Sequence, residues 1–321
     1  MHNPTIQKIY YTIALLFAVS AFAGCQKGLG VLNEDKKYAS LQDVYAKNGV
    51  PVQNFSIPLE AVTIFTTVAG TKVTVPASAF EDADGNTITG TANIEFREIY
   101  KKSDMLLSGM PTMYKGRPLK SGGEFFIRAK QGDKPLQLKA NKKITIEQPF
   151  AATGVADPAM APFVGNNDSA AVNWQPALLD SARIDTLGFT VSGYVFSLYQ
   201  FAYPLANGTW CNSDNSSYFD GYTQTMLTVS TTDTGFSTID VFLVFTDINC
   251  MVHVYSGGPG MYPYPYAPLG LKCTVVAAGV KGGNLYSSFT PTTISDNQTV
   301  PFSLLLTTLE DFEAQLEGLN H

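Results

Sequence analysis

Histidine is nearly absent from this chain, so any chemistry must come from carboxylates, cysteines or aromatic rings. Of the 3 histidines, His2 lies in the first 24 residues, leaving His253 and the terminal His321. A histidine-dependent triad, a multi-histidine zinc site or a phosphohistidine has almost nothing to draw on. His253 falls in an alternating run, where a hydrogen-bonded structural histidine is the simpler reading. There is no nucleophile elbow, phosphate loop or dinucleotide glycine pattern, and no cofactor is expected. Two carboxylates alone suffice for a glycosidase and leave no short signature, which keeps a carboxylate-dependent hydrolase as an alternative. Glu95 and Glu98 are three apart on an expected strand and point to opposite faces, with Arg97 or Lys101 as ion-pair partners. Asp82-Ala-Asp-Gly-Asn86 begins like a calcium loop, but Thr87 and Asn93 stand where glycine and glutamate are needed. A hairpin turn fits those residues better. No catalytic residue and no metal ligand is assigned.

Binding is a better prospect than catalysis. Gly257 to Pro268 contains Tyr262, Tyr264 and Tyr266 separated by prolines, which reads as a stiff, polyproline-like loop without regular ladder bonds. Its rings would present flat amphipathic surfaces to a glycan or a protein groove, or else pack back over a sheet end. Trp210, with Tyr218, Phe219 and Tyr222 after it, would extend such a surface if it folds nearby. Ser169, Ser181 and Thr186 sit in Asp-Ser/Thr-small-or-apolar triplets associated with bacterial O-glycosylation, although composition alone produces such triplets. A mass shift on the peptides that hold them would decide between the two.

The first 25 residues carry a localisation signal. A short basic start precedes an apolar run from Ile9 to Ala23, then Gly24 and Cys25. A run of about 15 residues is short for a membrane span and suits the core of a secretory signal. An ordinary secretory peptide or a buried helix would also explain it. Phe22-Ala23-Gly24-Cys25 resembles a bacterial lipobox, which implies removal of residues 1–24 and a diacylglyceryl group on the Cys25 thiol. The bilayer is then a partner through that anchor. Gln26 and Lys27 lack the aspartate and the acidic cluster of other sorting signals, which implies an outer-membrane lipoprotein facing the periplasm. Export makes the cysteines informative: of 4, Cys211, Cys250 and Cys273 remain besides Cys25. If the strands around Cys250 and Cys273 pair, a disulfide there closes a loop of roughly 22 residues and contributes about 3 kcal/mol; Cys211 is the alternative partner for either.

Composition indicates the elements that would position these groups. Charged residues are only 15% of the chain, aromatic residues 12%, and the net charge is −6, or −7 once Lys8 leaves with the leader. Mild acidity without clustered Lys/Arg argues against nucleic acid. Residues 25–51 read as a tether with a helical turn near Leu41–Lys47. Alternation at 62–66, 72–75, 92–97, 124–129 and 143–147 predicts antiparallel strands for a first β-sandwich over 52–149. Residues 150–185 read as a linker. A second sandwich over 186–321 is expected, with Val241–Phe245 buried on both faces and a C-terminal helix carrying Leu309, Phe312, Leu316 and Leu319. The expected class is all-β: two antiparallel β-sandwich domains in tandem with a short C-terminal helix.

Residues 63–80, Thr-Ile-Phe-Thr-Thr-Val-Ala-Gly-Thr-Lys-Val-Thr-Val-Pro-Ala-Ser-Ala-Phe, resemble the opening of a β-sandwich module of ankyrins, netrin receptors and zonula occludens proteins. Glu95-Phe-Arg-Glu-Ile-Tyr100, Asp104-Met-Leu-Leu-Ser108 and Ser121-Gly-Gly-Glu-Phe-Phe-Ile127 are similar to phrases in Bacteroidota lipoproteins that carry a related module. The resemblance covers roughly 60–147 and implies a scaffold for protein contacts. Some eukaryotic members cleave themselves at His-Phe-Ser, a sequence missing here, so self-cleavage is not implied. Together these readings predict a non-catalytic envelope lipoprotein, with a glycan-binding surface protein as the alternative.

Overall fold

The computed structural model describes residues 38–150, 154–166, 173–177, 188–190, 192–199 and 205–320. Among the described residues, four main sheets and three helices form one compact unit from Tyr38 onward. The class is all-β, with a short C-terminal helix, as the composition predicts.

Sheet 1 has seven strands, in the order Gln53–Pro58, Thr91–Ile99, Lys120–Gln131, Thr209–Asn215, Ala161–Asn166 and Asn173–Pro176, with Lys134–Pro135 folding back on Lys120–Gln131. Sheet 2 runs Gly188–Phe189, Gly193–Tyr199, Lys143–Pro149, Lys72–Val75, Thr63–Thr66. Period-two alternation turns Phe96, Phe125 and Ile127 of sheet 1 toward Val73, Ile146 and Phe196 of sheet 2. The Phe125 ring is stacked on Phe96 at 5.6 Å and meets Phe196 edge-on at 4.9 Å, which joins the two layers.

Sheet 3 runs Met251–Val254, Ile239–Phe245, Lys272–Lys281, Asn284–Thr293, Leu305–Leu306, and sheet 4 runs Met261–Pro268, Gln224–Ser230, Gln298–Pro301. They enclose a second core of Leu227, Val229, Leu243, Phe245, Val252 and Val275. Gln224–Ser230 and Gln298–Pro301 pair in parallel, a departure from the expected antiparallel pattern.

A third apolar layer joins the sandwiches. Ile239–Phe245 buries Val241, Leu243 and Phe245 on one face and Phe242 and Val244 on the other. That second face, with Val276 and Ala278, packs with Trp174, Trp210 and Phe163 from the outer face of sheet 1. Three helices complete the layer: α1 (Leu41–Asn48), α2 (Lys102–Leu107) and α3 (Leu309–Glu317). Ser40 caps α1 by accepting the Asp43 N–H at 3.2 Å, and Thr308 caps α3 by accepting the Asp311 N–H at 3.0 Å. Main-chain bonds cross the layer as well: Ser121 N–H donates to Asn249 O at 2.8 Å and Thr112 N–H to Met251 O at 2.8 Å. None of the helices among the described residues is long and apolar enough to cross a membrane.

Several boundaries differ from the sequence reading. The expected linker contains two sheet-1 strands, Ala161–Asn166 and Asn173–Pro176. Gly193–Tyr199 and Thr209–Asn215, expected in the second sandwich, belong to the first. The tether is shorter, because Tyr38, Leu41 and Val44 are buried in the middle layer. Helix α2 has no sequence expectation at all, being six residues long with no side-chain cap.

Candidate functional site

The most accessible constellation lies where the edge of sheet 3 meets the hairpin leading into sheet 4. Phe242 is the cross-strand partner of His253, which puts Asp240, Phe242, His253 and Tyr255 on one face. The imidazole sits between the Phe242 ring at 4.9 Å and the Tyr255 ring at 4.5 Å. Its Nε2 is 3.5 Å from Asp240 Oδ1, and the Tyr45 hydroxyl of α1 donates to Asp240 Oδ2 at 3.0 Å. Burial, and then the Asp240 charge, raise the Tyr45, Tyr255 and Tyr262 hydroxyls above the ordinary phenol range. The Asp240 carboxylate thus holds one phenol and lies beside one imidazole.

Asp240, His253, Tyr255 and Tyr262 line an open groove of about 580 Å³, within the range of roughly 300–1,000 Å³ usual for small-ligand sites. Ser237, Thr238 and Ser256 also line it, and Gly258, Pro259 and Gly260 form one wall. Tyr255 is 59% exposed while Tyr262 is only 6% exposed. The sequence marks Tyr255 weakly, as an aromatic at a strand end before Ser256-Gly-Gly. Asp240 is the second residue of the apolar strand Ile239–Phe245, an acid whose partner on α1 no local pattern reveals.

A second polar cluster is sealed inside the middle layer. Glu124 faces Asn212 in register and Asp214 faces Ser121, and all four are 0% exposed. The Ser121 hydroxyl donates to Asn212 Oδ1 at 2.8 Å. Both oxygens of Glu124 and of Asp214, Asn212 Nδ2 and Arg97 Nε have no hydrogen-bond partner. Burial pushes both carboxyls well above their usual range; Asp214 raises Glu124 further, and Arg97 opposes this. Nearby, Lys102 Nζ donates to Phe245 O and Thr246 O at 2.8 Å each, and burial lowers its ammonium to about 8. Gly123 has φ +117°, and a side chain there would collide with the Tyr100 ring and the Gln148 amide, so both backbone and space require glycine.

The expected site residues fare unevenly. Met261–Pro268 is an edge strand, not a polyproline loop; edge strands tolerate proline because one side needs no ladder donor. Pro263 and Pro265 face out, while Tyr262 and Tyr264, 6% and 4% exposed, face the core. Only Tyr262 of the three tyrosines lines the groove. Tyr266 is half-buried under the Arg117 guanidinium at 5.4 Å. Trp210 is 8% exposed, between Phe126 at 5.4 Å and the Arg97 guanidinium at 5.5 Å, so it is a packing residue.

The Cys250–Cys273 disulfide is absent: Cys211, Cys250 and Cys273 are free and buried. Cys273 pairs with Phe245, and the strand that holds Phe245 lies between the two cysteine strands. Two strand spacings are about 9.5 Å, beyond the roughly 7 Å limit for a disulfide. Burial raises both thiols to about 12.

Glu95 pairs with Arg128 at 2.5 Å and Lys130 at 2.9 Å rather than with Arg97 or Lys101. Glu98 is buried on the opposite face, accepting from Thr67, Thr71 and the Ala69 N–H. Asp82 closes its turn by accepting the Asp84 and Asn86 N–H groups at 3.0 and 2.8 Å. No group of three or more His, Cys, Asp or Glu able to hold a metal occurs among the described residues. Cys25, Ser169, Ser181 and Thr186 lie outside the described residues.

No family model, no curated protein and no solved structure matches this chain.

Proposed function

We propose that this chain is a non-catalytic scaffold of the cell envelope, held at the outer membrane by a lipid on Cys25. The observation that carries the reading is the junction Ala23-Gly24-Cys25 behind a short apolar run. The packed body from Tyr38 onward supports it, since a scaffold presents its contacts from a folded platform. The likeness of residues 60–147 to a module built for protein contacts favours an envelope protein as partner, on the periplasmic side. A glycosidase would need two carboxylates about 5–9.5 Å apart across an open cleft; Glu124 and Asp214, the strongly perturbed pair, are sealed from solvent, and the two acids of the open groove, Asp233 and Asp240, are each committed to a structural hydrogen bond, from the Leu304 N–H and the Tyr45 hydroxyl.

Cys25→Ala should move the protein from the membrane fraction to the soluble fraction without changing its melting temperature. Continued membrane association of that variant would refute the anchoring role. A pull-down from solubilised membranes would identify the partner.

A further inference from the structure

We infer that the groove around Tyr255 and Asp240 binds a neutral saccharide. This assignment does not depend on the lipid anchor. A pyranose has an apolar C–H face and a rim of hydroxyls, so it needs a flat aromatic surface beside convergent polar groups. Tyr255 supplies the surface. It is 59% exposed, yet its ring is fixed from one side by the His253 imidazole 4.5 Å away. An aromatic plane already held in place loses little entropy when a ligand stacks on it.

Asp240 supplies the polar centre. An ionised carboxylate has about four lone-pair positions. The Tyr45 hydroxyl uses one and the His253 imidazole lies beside another, which leaves capacity for ligand hydroxyls. Ser237 and Thr238 add hydroxyls that both donate and accept, while the Ser256 hydroxyl is held in its turn by Gly258 O at 3.1 Å.

Charge and shape select among ligands. The groove also holds Asp233, whose Oδ2 accepts the Leu304 N–H at 2.6 Å, so two carboxylates would repel an anionic ligand. At the rim, Lys281 donates to Thr234 O at 3.0 Å and lies 5.3 Å from the Phe236 ring. A quaternary ammonium would need several exposed rings around it, and Tyr262 is buried while Phe236 is already covered by Lys281. A neutral polyhydroxyl ring fits one open aromatic face beside one available carboxylate.

The test uses the full chain in detergent and saturation-transfer NMR with the methyl glycosides of glucose, galactose, mannose and N-acetylglucosamine. At least one glycoside should receive saturation at its ring protons. Tyr255→Ala should weaken that binding about tenfold or more, with the melting temperature unchanged because the ring is largely exposed. Asp240→Asn should weaken it as well. Absence of transfer to all of these glycosides, transfer that survives Tyr255→Ala, or transfer to tetramethylammonium instead would each overturn the assignment. Membrane fractionation reads the anchor separately, so neither result stands in for the other.

Discussion

Glu124 and Asp214 make the stability of this protein depend on pH in a direction opposite to that of a salt-bridged carboxylate. In the unfolded chain both ionise near pH 4. In the folded chain burial holds their protons to higher pH. Over the intervening window the native state binds more protons, so stability from these groups is complete below about pH 4 and falls as pH rises toward the raised values. Urea midpoints should therefore drop between pH 5 and pH 8. The double variant Glu124→Gln, Asp214→Asn should flatten that slope and be about 1–3 kcal/mol more stable at pH 8. An unchanged slope would mean that the two acids are not its source. The sequence shows Glu124 alternating with Phe125 and Ile127, and correctly turns it away from the first core. It gives no sign that the outward face is roofed by a second sandwich. Alternation says which side a residue takes, not what covers that side.

At the scale of elements, the strands and the C-terminal helix were legible, whereas α2 and the burial of α1 were not, for a physical reason. A strand writes its period into every second residue, and both-face burial of Val241–Phe245 reads directly as an unbroken apolar run. The Tyr-Pro repeat at 262–266 has that same period of two, with tyrosines in and prolines out. Proline's reputation as a strand breaker hid the pattern, because the edge position that makes proline tolerable is a tertiary fact. Helix α1 shows the converse error. Its eight residues look like tether with one helical turn, yet Leu41 and Val44 are 0% exposed in the middle layer. Leu41→Ala should cost about 2–5 kcal/mol in chemical denaturation. A loss under about 0.5 kcal/mol, the surface range, would show that α1 is not part of the core.

For the whole molecule, the shared layer predicts cooperativity. Both tryptophans of the chain, Trp174 and Trp210, lie in it. Their fluorescence therefore reports the junction, whereas far-UV circular dichroism reports all four sheets. The two signals should give coincident midpoints in one unfolding transition. An earlier fluorescence change would mean that the sandwiches part before they melt. The tandem order was legible because turn spacing marks strands, but the boundary was not, since hydrogen-bond partners distant in sequence leave no local trace. Strand Thr209–Asn215 lies between Lys120–Gln131 and Ala161–Asn166, so sheet 1 is closed by a segment made long after its neighbours. That threading imposes a schedule on synthesis. Until residue 215 has emerged, Lys120–Gln131 has an open edge, and unpaired strand edges invite association with other chains. A nascent chain of this protein therefore needs a guardian, or isolation from its copies, for the interval between making that edge and covering it.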